Sequence, residues 1–101
     1  MNHERAVLLD IRPEEDFRTG HVLNAVSIPE NEFTERRKQL EKYKARPLVV
    51  YCADGRATAR AVAALKTLGI KQPFVLKGGY LAWRDAGLPV EREQKAAGGK
   101  A

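Results

Sequence analysis

The chain has 101 residues, of which 44% are hydrophobic and 31% charged. This composition is typical of one globular domain and excludes a disordered chain. No apolar run approaches the roughly 20 residues that span a bilayer, and no secretory signal opens the sequence, so we predict no membrane contact within this chain. The net charge of +5 is typical of a solvated basic surface, and its mild positive field favours small anionic substrates. Aromatic residues are not interleaved with the basic ones, so we predict no nucleic-acid partner.

Strand and helix patterns alternate along the chain. Short apolar runs predict buried strands at residues 6–11, 25–28, 47–51 and 74–76. Helical patterns predict helices at about residues 13–20, 34–44, 58–68 and 80–86. This order predicts an α/β fold, with a mostly parallel sheet of four or five strands flanked by helices on both faces. We predict one domain over residues 1–90 and a disordered, polar tail over residues 91–101.

The strongest chemical signal is the segment that runs from Cys52 to Thr58. The cysteine ends a buried strand, a short loop with Gly55 follows, and a helix then begins. Ligands of open α/β sheets bind at that edge. Loop N–H groups and the helix N-terminus would converge on the sulfur of Cys52 and stabilise a thiolate, which can attack a polarised sulfur. The alternative interpretation is a buried, inert cysteine, which is common for free thiols.

Three segments, in this order, resemble the signatures of rhodanese-like sulfurtransferases. They are Leu8-Leu9-Asp10-Ile11-Arg12 with Phe17, Gly20-His21-Val22 and Ala25; Cys52-Ala53-Asp54-Gly55-Arg56; and Leu76-Lys77-Gly78-Gly79-Tyr80-Leu81-Ala82-Trp83. The likeness covers roughly residues 6 to 90. It implies a parallel sheet flanked by helices, and sulfur transfer through a persulfide on a cysteine, with no cofactor.

The resemblance and the position of the loop assign roles to individual residues. Cys52 is the predicted catalytic nucleophile. The predicted substrate-binding residues are Ala53, Asp54, Gly55, Arg56, Ala57, Thr58 and Arg12. The predicted structural residues near the site are Asp10, His21, Gly78, Gly79 and Trp83. No second cysteine or histidine has the spacing of metal ligands, so we predict no metal site.

The single cysteine also bears on partners and compartment. It excludes an internal disulfide and favours a reducing compartment, so we predict a cytoplasmic protein. The chain holds no resolving thiol, so sulfur must pass from a small anionic donor such as thiosulfate, or from another persulfide, to a separate thiol, a protein or cyanide. The chain begins at the first core strand, where family members usually have a leading segment. We therefore expect a piece of a longer protein, with any membrane anchor in the upstream part.

Two departures from the family pattern affect the expected chemistry. Many members have a basic residue at the position of Ala57, and many have glycine at the position of Asn24. The missing cation, together with the negative charge of Asp54, counts against thiosulfate as the preferred donor.

Two other functions stay open on the sequence. One is a non-catalytic or regulatory binding module with the same fold. The other is a cysteine-dependent phosphatase or arsenate reductase. Such phosphatases hold the phosphoryl oxygens with an arginine six residues after the cysteine. The guanidinium suits this task because it can bind two of these oxygens at once. That position is Thr58 here, so we rank this function below the others.

Overall fold

The computed structural model describes residues 6–92. Its strands are β1 Val7–Asp10, β2 His21–Val22, β3 Val26–Ser27, β4 Leu48–Tyr51, β5 Pro73–Val75 and β6 Val90–Glu91. Its α-helices are α1 Glu14–Thr19, α2 Arg37–Glu41, α3 Thr58–Thr67 and α4 Gly79–Asp85, with a 3₁₀ turn at Glu30–Glu32. All four predicted strands and all four predicted helices have a counterpart among these elements.

Four of the strands form one parallel sheet in the order β3-β1-β4-β5. Strand β1 pairs with β3 on one side and with β4 on the other, and its Leu9 lies opposite Val26 of β3 and Val50 of β4. The predicted α/β architecture is therefore confirmed. Parallel neighbours need crossover connections, which the intervening helices supply. All parallel strands end at one edge of the sheet, and Cys52 directly follows the central strand β4 at that edge.

Side chains alternate between the two faces of the sheet, and each face has its own core. On one face, buried Leu9 and Val50 pack with Ala61 and Leu65 of α3. On the other face, Tyr51 packs with Val22 and with Tyr80 of α4. Burying one large apolar side chain contributes about 1.5–3 kcal/mol. The two cores fix α3 and α4 on opposite sides of the strand that leads to Cys52.

Helix α2 differs from the prediction, which extended it over residues 34–44. The α-helix covers only Arg37–Glu41, and Leu40 is its one buried residue. A helix this short and charged gains little from packing, and isolated helices of such length are unstable. The flanking residues form turns instead.

The sequence analysis did not predict two strands, each of two residues. Strands β2 and β6 pair in antiparallel fashion, with His21 opposite Glu91 and Val22 opposite Val90. The sequence had assigned Glu91 to a disordered tail over residues 91–101. Residues 93–101 of that tail lie outside the described residues. Two-residue strands have no periodicity to detect, because only their pairing defines them.

No helix within residues 6–92 is both long enough and apolar enough to cross a bilayer. The cytoplasmic location stays a prediction.

Candidate active site

The sulfur of Cys52 lies at the centre of a small polar arrangement. The backbone N–H of Gly55 donates to Sγ over 3.1 Å, and Thr58 Oγ1 lies 3.2 Å from the same atom. Cys52 is only 7% exposed. Gly55 has a φ of +95°, a left-handed conformation that favours glycine and turns its N–H toward the sulfur. A negative charge on this sulfur would therefore be stabilised by one amide and one hydroxyl.

The loop uses some of its other N–H groups differently from the predicted cradle. The N–H of Arg56 donates to Asp54 Oδ1 over 3.0 Å, and that of Thr58 donates to the carbonyl of Gly55 over 3.4 Å. Aspartate side chains commonly bond to the backbone two residues later. Asp54 thus fixes the conformation of the loop and also adds a negative charge to it. Substrate binding by the remaining loop residues stays a prediction.

The N-terminus of helix α4 is hydrogen-bonded to the backbone at Cys52 and Ala53, where the active-site loop begins. The N–H groups of Tyr80 and Leu81 donate to the carbonyls of Cys52 and Ala53 over 2.9 and 3.0 Å. Helix N-termini have unsatisfied N–H groups, and here the two carbonyls accept from them. A Cβ added to Gly79 would lie 2.6 Å from the oxygen of Cys52 and 2.7 Å from that of Ala53. The second glycine of the Gly-Gly turn is therefore what lets α4 approach the cysteine.

Gly79→Ala is expected to cost about 3 kcal/mol of unfolding free energy, because it combines left-handed strain with a clash against two carbonyls. Gly87→Ala is the matched control, since Gly87 has a similarly positive φ of +78° and no neighbour within 4 Å of an added Cβ. We expect that control to cost about 1 kcal/mol. Urea unfolding of both variants measures the difference. Equal losses would show that the approach of α4 to the loop contributes nothing.

Asp10 and Arg12 form a buried ion pair beside the site. The carboxylate of Asp10 accepts from the backbone N–H, Nε and Nη2 of Arg12, the last over 2.6 Å. The same Nη2 donates to the carbonyl of Gly20, and the guanidinium carbon Cζ lies 4.3 Å from the ring centroid of Tyr80. Burial lowers the pKa of Arg12, but the hydrogen bond and charge of Asp10 outweigh it, so the net pKa is raised. These hydrogen bonds hold the guanidinium against Asp10 and the carbonyl of Gly20. Its contact with substrate stays a prediction.

Burial and the charge of Asp10 raise the pKa of Tyr51 far above its ordinary value. Its hydroxyl accepts from the backbone N–H of Val22 over 3.0 Å. A neutral Tyr51 therefore ties β4 to β2 across the second core.

His21 and Trp83 lie away from Cys52, and neither lines its pocket. The ring of His21 stacks on Phe17 at a centroid distance of 3.6 Å, and Nδ1 lies 2.7 Å from the carbonyl oxygen of Phe17. Trp83 Nε1 donates to the carbonyl of Pro89 over 2.7 Å. The structural roles predicted for these two side chains stay predictions.

Asn24 has a φ of +67°, in the left-handed region. Asparagine enters this region more readily than most side chains, because it is short and polar. This accounts for its presence where many members of the resembled family have glycine.

A pocket of about 250 Å³ opens over Cys52. It is lined by Ile11, Arg12, Pro13, Asp16, Glu30, Cys52, Ala53, Asp54, Arg56 and Ala57. The side chain of Arg56 is 90% exposed and pairs with Asp54 over 3.3 Å. Larger clefts of about 780 and 500 Å³ lie elsewhere, and Cys52 lines neither. The geometry around the sulfur, not cleft size, identifies the candidate site.

The sequence prediction missed two charged residues near this pocket. Glu30 follows the end of β3 and lines the pocket, and it accepts two hydrogen bonds from Arg60, over 2.5 and 3.0 Å. Arg60 lies in the first turn of α3. Sequence spacing carries no sign of this pair, because the two residues come together only when α3 packs on the sheet.

The fold and the site define the class of protein: an α/β domain whose one thiol ends a central parallel strand and faces a loop and a helix N-terminus. The family model described as the rhodanese-like domain matches residues 1–86, and the chain therefore belongs to the rhodanese-like domain family.

Two sequence relatives illustrate the range of this family. The chain is 34% identical over 93 residues to the uncharacterised protein YibN of Escherichia coli K12, a match that covers 91% of this chain and 65% of YibN. It is 32% identical over 91 residues to a tRNA uridine(34) hydroxylase of Buchnera aphidicola, covering 85% of this chain and 29% of that enzyme. The chain thus spans less than two thirds of each of these two relatives.

Solved structures share the fold. A rhodanese-related protein of Thermoplasma volcanium is 33% identical, with a TM-score of 0.79 and coverage of 91% of this chain and 89% of that one. A thiosulfate sulfurtransferase of Pseudomonas aeruginosa is 26% identical with a TM-score of 0.77; the match covers 89% of this chain and 17% of that one.

Proposed function

We propose that this domain is a sulfurtransferase that carries sulfane sulfur as a persulfide on Cys52. With thiosulfate as donor, the Cys52 thiolate attacks the outer sulfur, the S–S bond of thiosulfate breaks, and sulfite leaves with the bonding electron pair. Cyanide then attacks the outer sulfur of the persulfide and leaves as thiocyanate, which regenerates the thiolate. A thiol acceptor takes the same sulfur and becomes a persulfide.

The observation that carries the proposal is the environment of Sγ. The Gly55 amide and the Thr58 hydroxyl both face this atom, and preorganised donors of this kind stabilise charge on a sulfur without reorganising. The pocket above gives a small donor access to Cys52. Membership of the rhodanese-like family and the fold shared with the Pseudomonas aeruginosa thiosulfate sulfurtransferase are consistent with this chemistry.

Intact-protein mass spectrometry tests the proposal. After incubation with thiosulfate or with the persulfide of mercaptoethanol, we expect the chain to gain the mass of one sulfur atom, and we expect a reductant to remove it. Because Cys52 is the only cysteine, the site of modification is unambiguous. Absence of added sulfur with both donors would favour the alternative of a binding module without sulfur chemistry.

The phosphatase alternative has no support in the site geometry. Thr58 stands where such enzymes need an arginine, and its hydroxyl faces the sulfur. Robust hydrolysis of an aryl phosphate without persulfide formation would nevertheless overturn the sulfurtransferase proposal.

Thr58→Val is expected to lower kcat/KM for sulfur transfer about tenfold or more. Valine has nearly the same shape but cannot donate to the charged sulfur, and a hydrogen bond to a charged group contributes about 1.5–3 kcal/mol. Thr58→Ser keeps the hydroxyl and is the control, for which we expect a change of about threefold at most. Steady-state production of thiocyanate measures both variants. A similar loss in the two would assign Thr58 a packing role only, since it is buried at the start of α3.

A further inference from the structure

The charges around the Cys52 pocket do not match the basic character of the whole chain. Three carboxylates, those of Asp16, Glu30 and Asp54, line the pocket together with the guanidiniums of Arg12 and Arg56. Arg12 is bound to buried Asp10, and Arg56 is paired with Asp54. The net charge of +5 therefore does not translate into a cationic pocket around the sulfur.

A further cation lies within electrostatic reach of Cys52 but is held by a carboxylate of the pocket wall. Arg60 donates through Nε and Nη2 to the two carboxylate oxygens of Glu30. This hydrogen bonding raises the pKa of Arg60 and lowers that of Glu30, and the charge of Cys52 adds a smaller upward contribution at Arg60. The side chain of Glu30 is 26% exposed and that of Arg60 is 71% exposed. Glu30 is thus the more buried partner and lines the pocket, whereas Arg60 is largely exposed and does not line it.

We propose that the Glu30–Arg60 pair determines which sulfur donors reach Cys52, by disfavouring dianions such as thiosulfate and favouring donors of lower charge such as organic persulfides. Glu30 acts in two ways: it adds a negative charge to the pocket wall, and it keeps Arg60 from turning toward a bound anion. Repulsion of the wrong substrate is a general route to specificity.

The proposal rests on the proposed function for its sulfur chemistry. With an organic persulfide R–S–SH, the Cys52 thiolate attacks the outer sulfur. The S–S bond of the donor breaks, R–S⁻ leaves with the electron pair, and Cys52 becomes a protonated persulfide. The leaving group then carries one negative charge, whereas the sulfite released from thiosulfate carries two.

Alkylation of Cys52 tests the electrostatics without any sulfur transfer. The measured quantity is the ratio of the rate with anionic iodoacetate to the rate with neutral iodoacetamide, and the single cysteine makes every reaction report on this site. Glu30→Gln is expected to raise the ratio about two- to fivefold, and Arg60→Gln to lower it by a smaller factor, because Arg60 is more exposed and does not line the pocket. The double variant is expected between the wild type and Glu30→Gln, because Glu30 lines the pocket whereas Arg60 is largely exposed to solvent. High salt should shrink each effect.

Glu32→Gln is the matched control for Glu30→Gln. Glu32 also pairs with an arginine, Arg36, over 3.1 Å, but it does not line the Cys52 pocket. We expect its alkylation ratio to equal that of the wild type. A change as large as that in Glu30→Gln would mean that net charge alone sets the ratio, and it would overturn the proposal.

Donor competition supplies the second readout. Glu30→Gln is expected to raise the rate of persulfide formation from thiosulfate about two- to fivefold relative to the rate from mercaptoethanol persulfide, and Arg60→Gln to lower it. If sulfur transfer is intact but neither ratio responds to Glu30 or Arg60, the specificity proposal is wrong and the proposed function stands. If neither donor leaves sulfur on Cys52 in any variant, the proposed function is wrong and donor specificity falls with it, whatever the alkylation ratio.

Discussion

Replacing Cys52 with serine is expected to abolish persulfide formation and sulfur transfer while leaving the fold intact. A serine oxygen cannot carry sulfane sulfur in this reaction, and the chain has no other thiol to replace it. Serine is close to cysteine in size, and its oxygen can still accept from the Gly55 amide and bond to the Thr58 hydroxyl. Thiocyanate production from thiosulfate and cyanide measures the loss, and thermal unfolding verifies the fold.

Alkylation of the wild-type protein with iodoacetamide is the control for the serine variant, because it blocks the same atom without changing the sequence. Both proteins are expected to be inactive. A serine variant that still produces thiocyanate at the wild-type rate would show that Cys52 is not the sulfur carrier.

Asp10→Asn is expected to destabilise the domain by about 3–5 kcal/mol. The carboxylate is fully buried and the guanidinium of Arg12 is 8% exposed, so the substitution leaves a buried cation without its counter-charge. Breaking a buried pair by neutralising one partner typically costs this much, because desolvation of the remaining charge is no longer compensated. Urea unfolding, followed by circular dichroism, measures the loss.

Asp85→Asn supplies the matched control, since it makes the same chemical change in an exposed pair. Asp85 pairs with Arg84 over 3.2 Å, and both side chains are more than half exposed. Exposed pairs contribute little, so we expect a change within about 0.5 kcal/mol. If the two variants lose equal stability, the Asp10–Arg12 pair is not the brace that its burial indicates.

Local patterns in the sequence were sufficient to predict the parallel sheet and the helices that connect its strands. Apolar runs of strand length between helical patterns predicted the parallel sheet and its order of elements, because strand and helix periodicities are properties of neighbouring residues. The same local information placed Cys52 between a strand and a helix. Gly55 and the Gly-Gly turn were also visible as sequence signals, although the sequence did not show what each glycine contacts.

Contacts between distant segments were decided by the tertiary structure. The pairing of β2 with β6, the approach of Gly79 to the carbonyl of Cys52, and the pair formed by Glu30 and Arg60 each join residues that are far apart in the chain. Such contacts carry no periodic signal, because they form only after the core has closed the loops between them.

The features of the site are likewise of two kinds, those predicted by the local sequence and those decided by packing. The sequence by itself determined that one thiol ends a buried strand beside a glycine loop, since residue type and local pattern are enough for that. Only the tertiary structure decided that the Asp10–Arg12 pair is buried and that Glu30 lines the pocket of Cys52. Charge at a site depends on distances between side chains from separate elements, and these distances are set by packing.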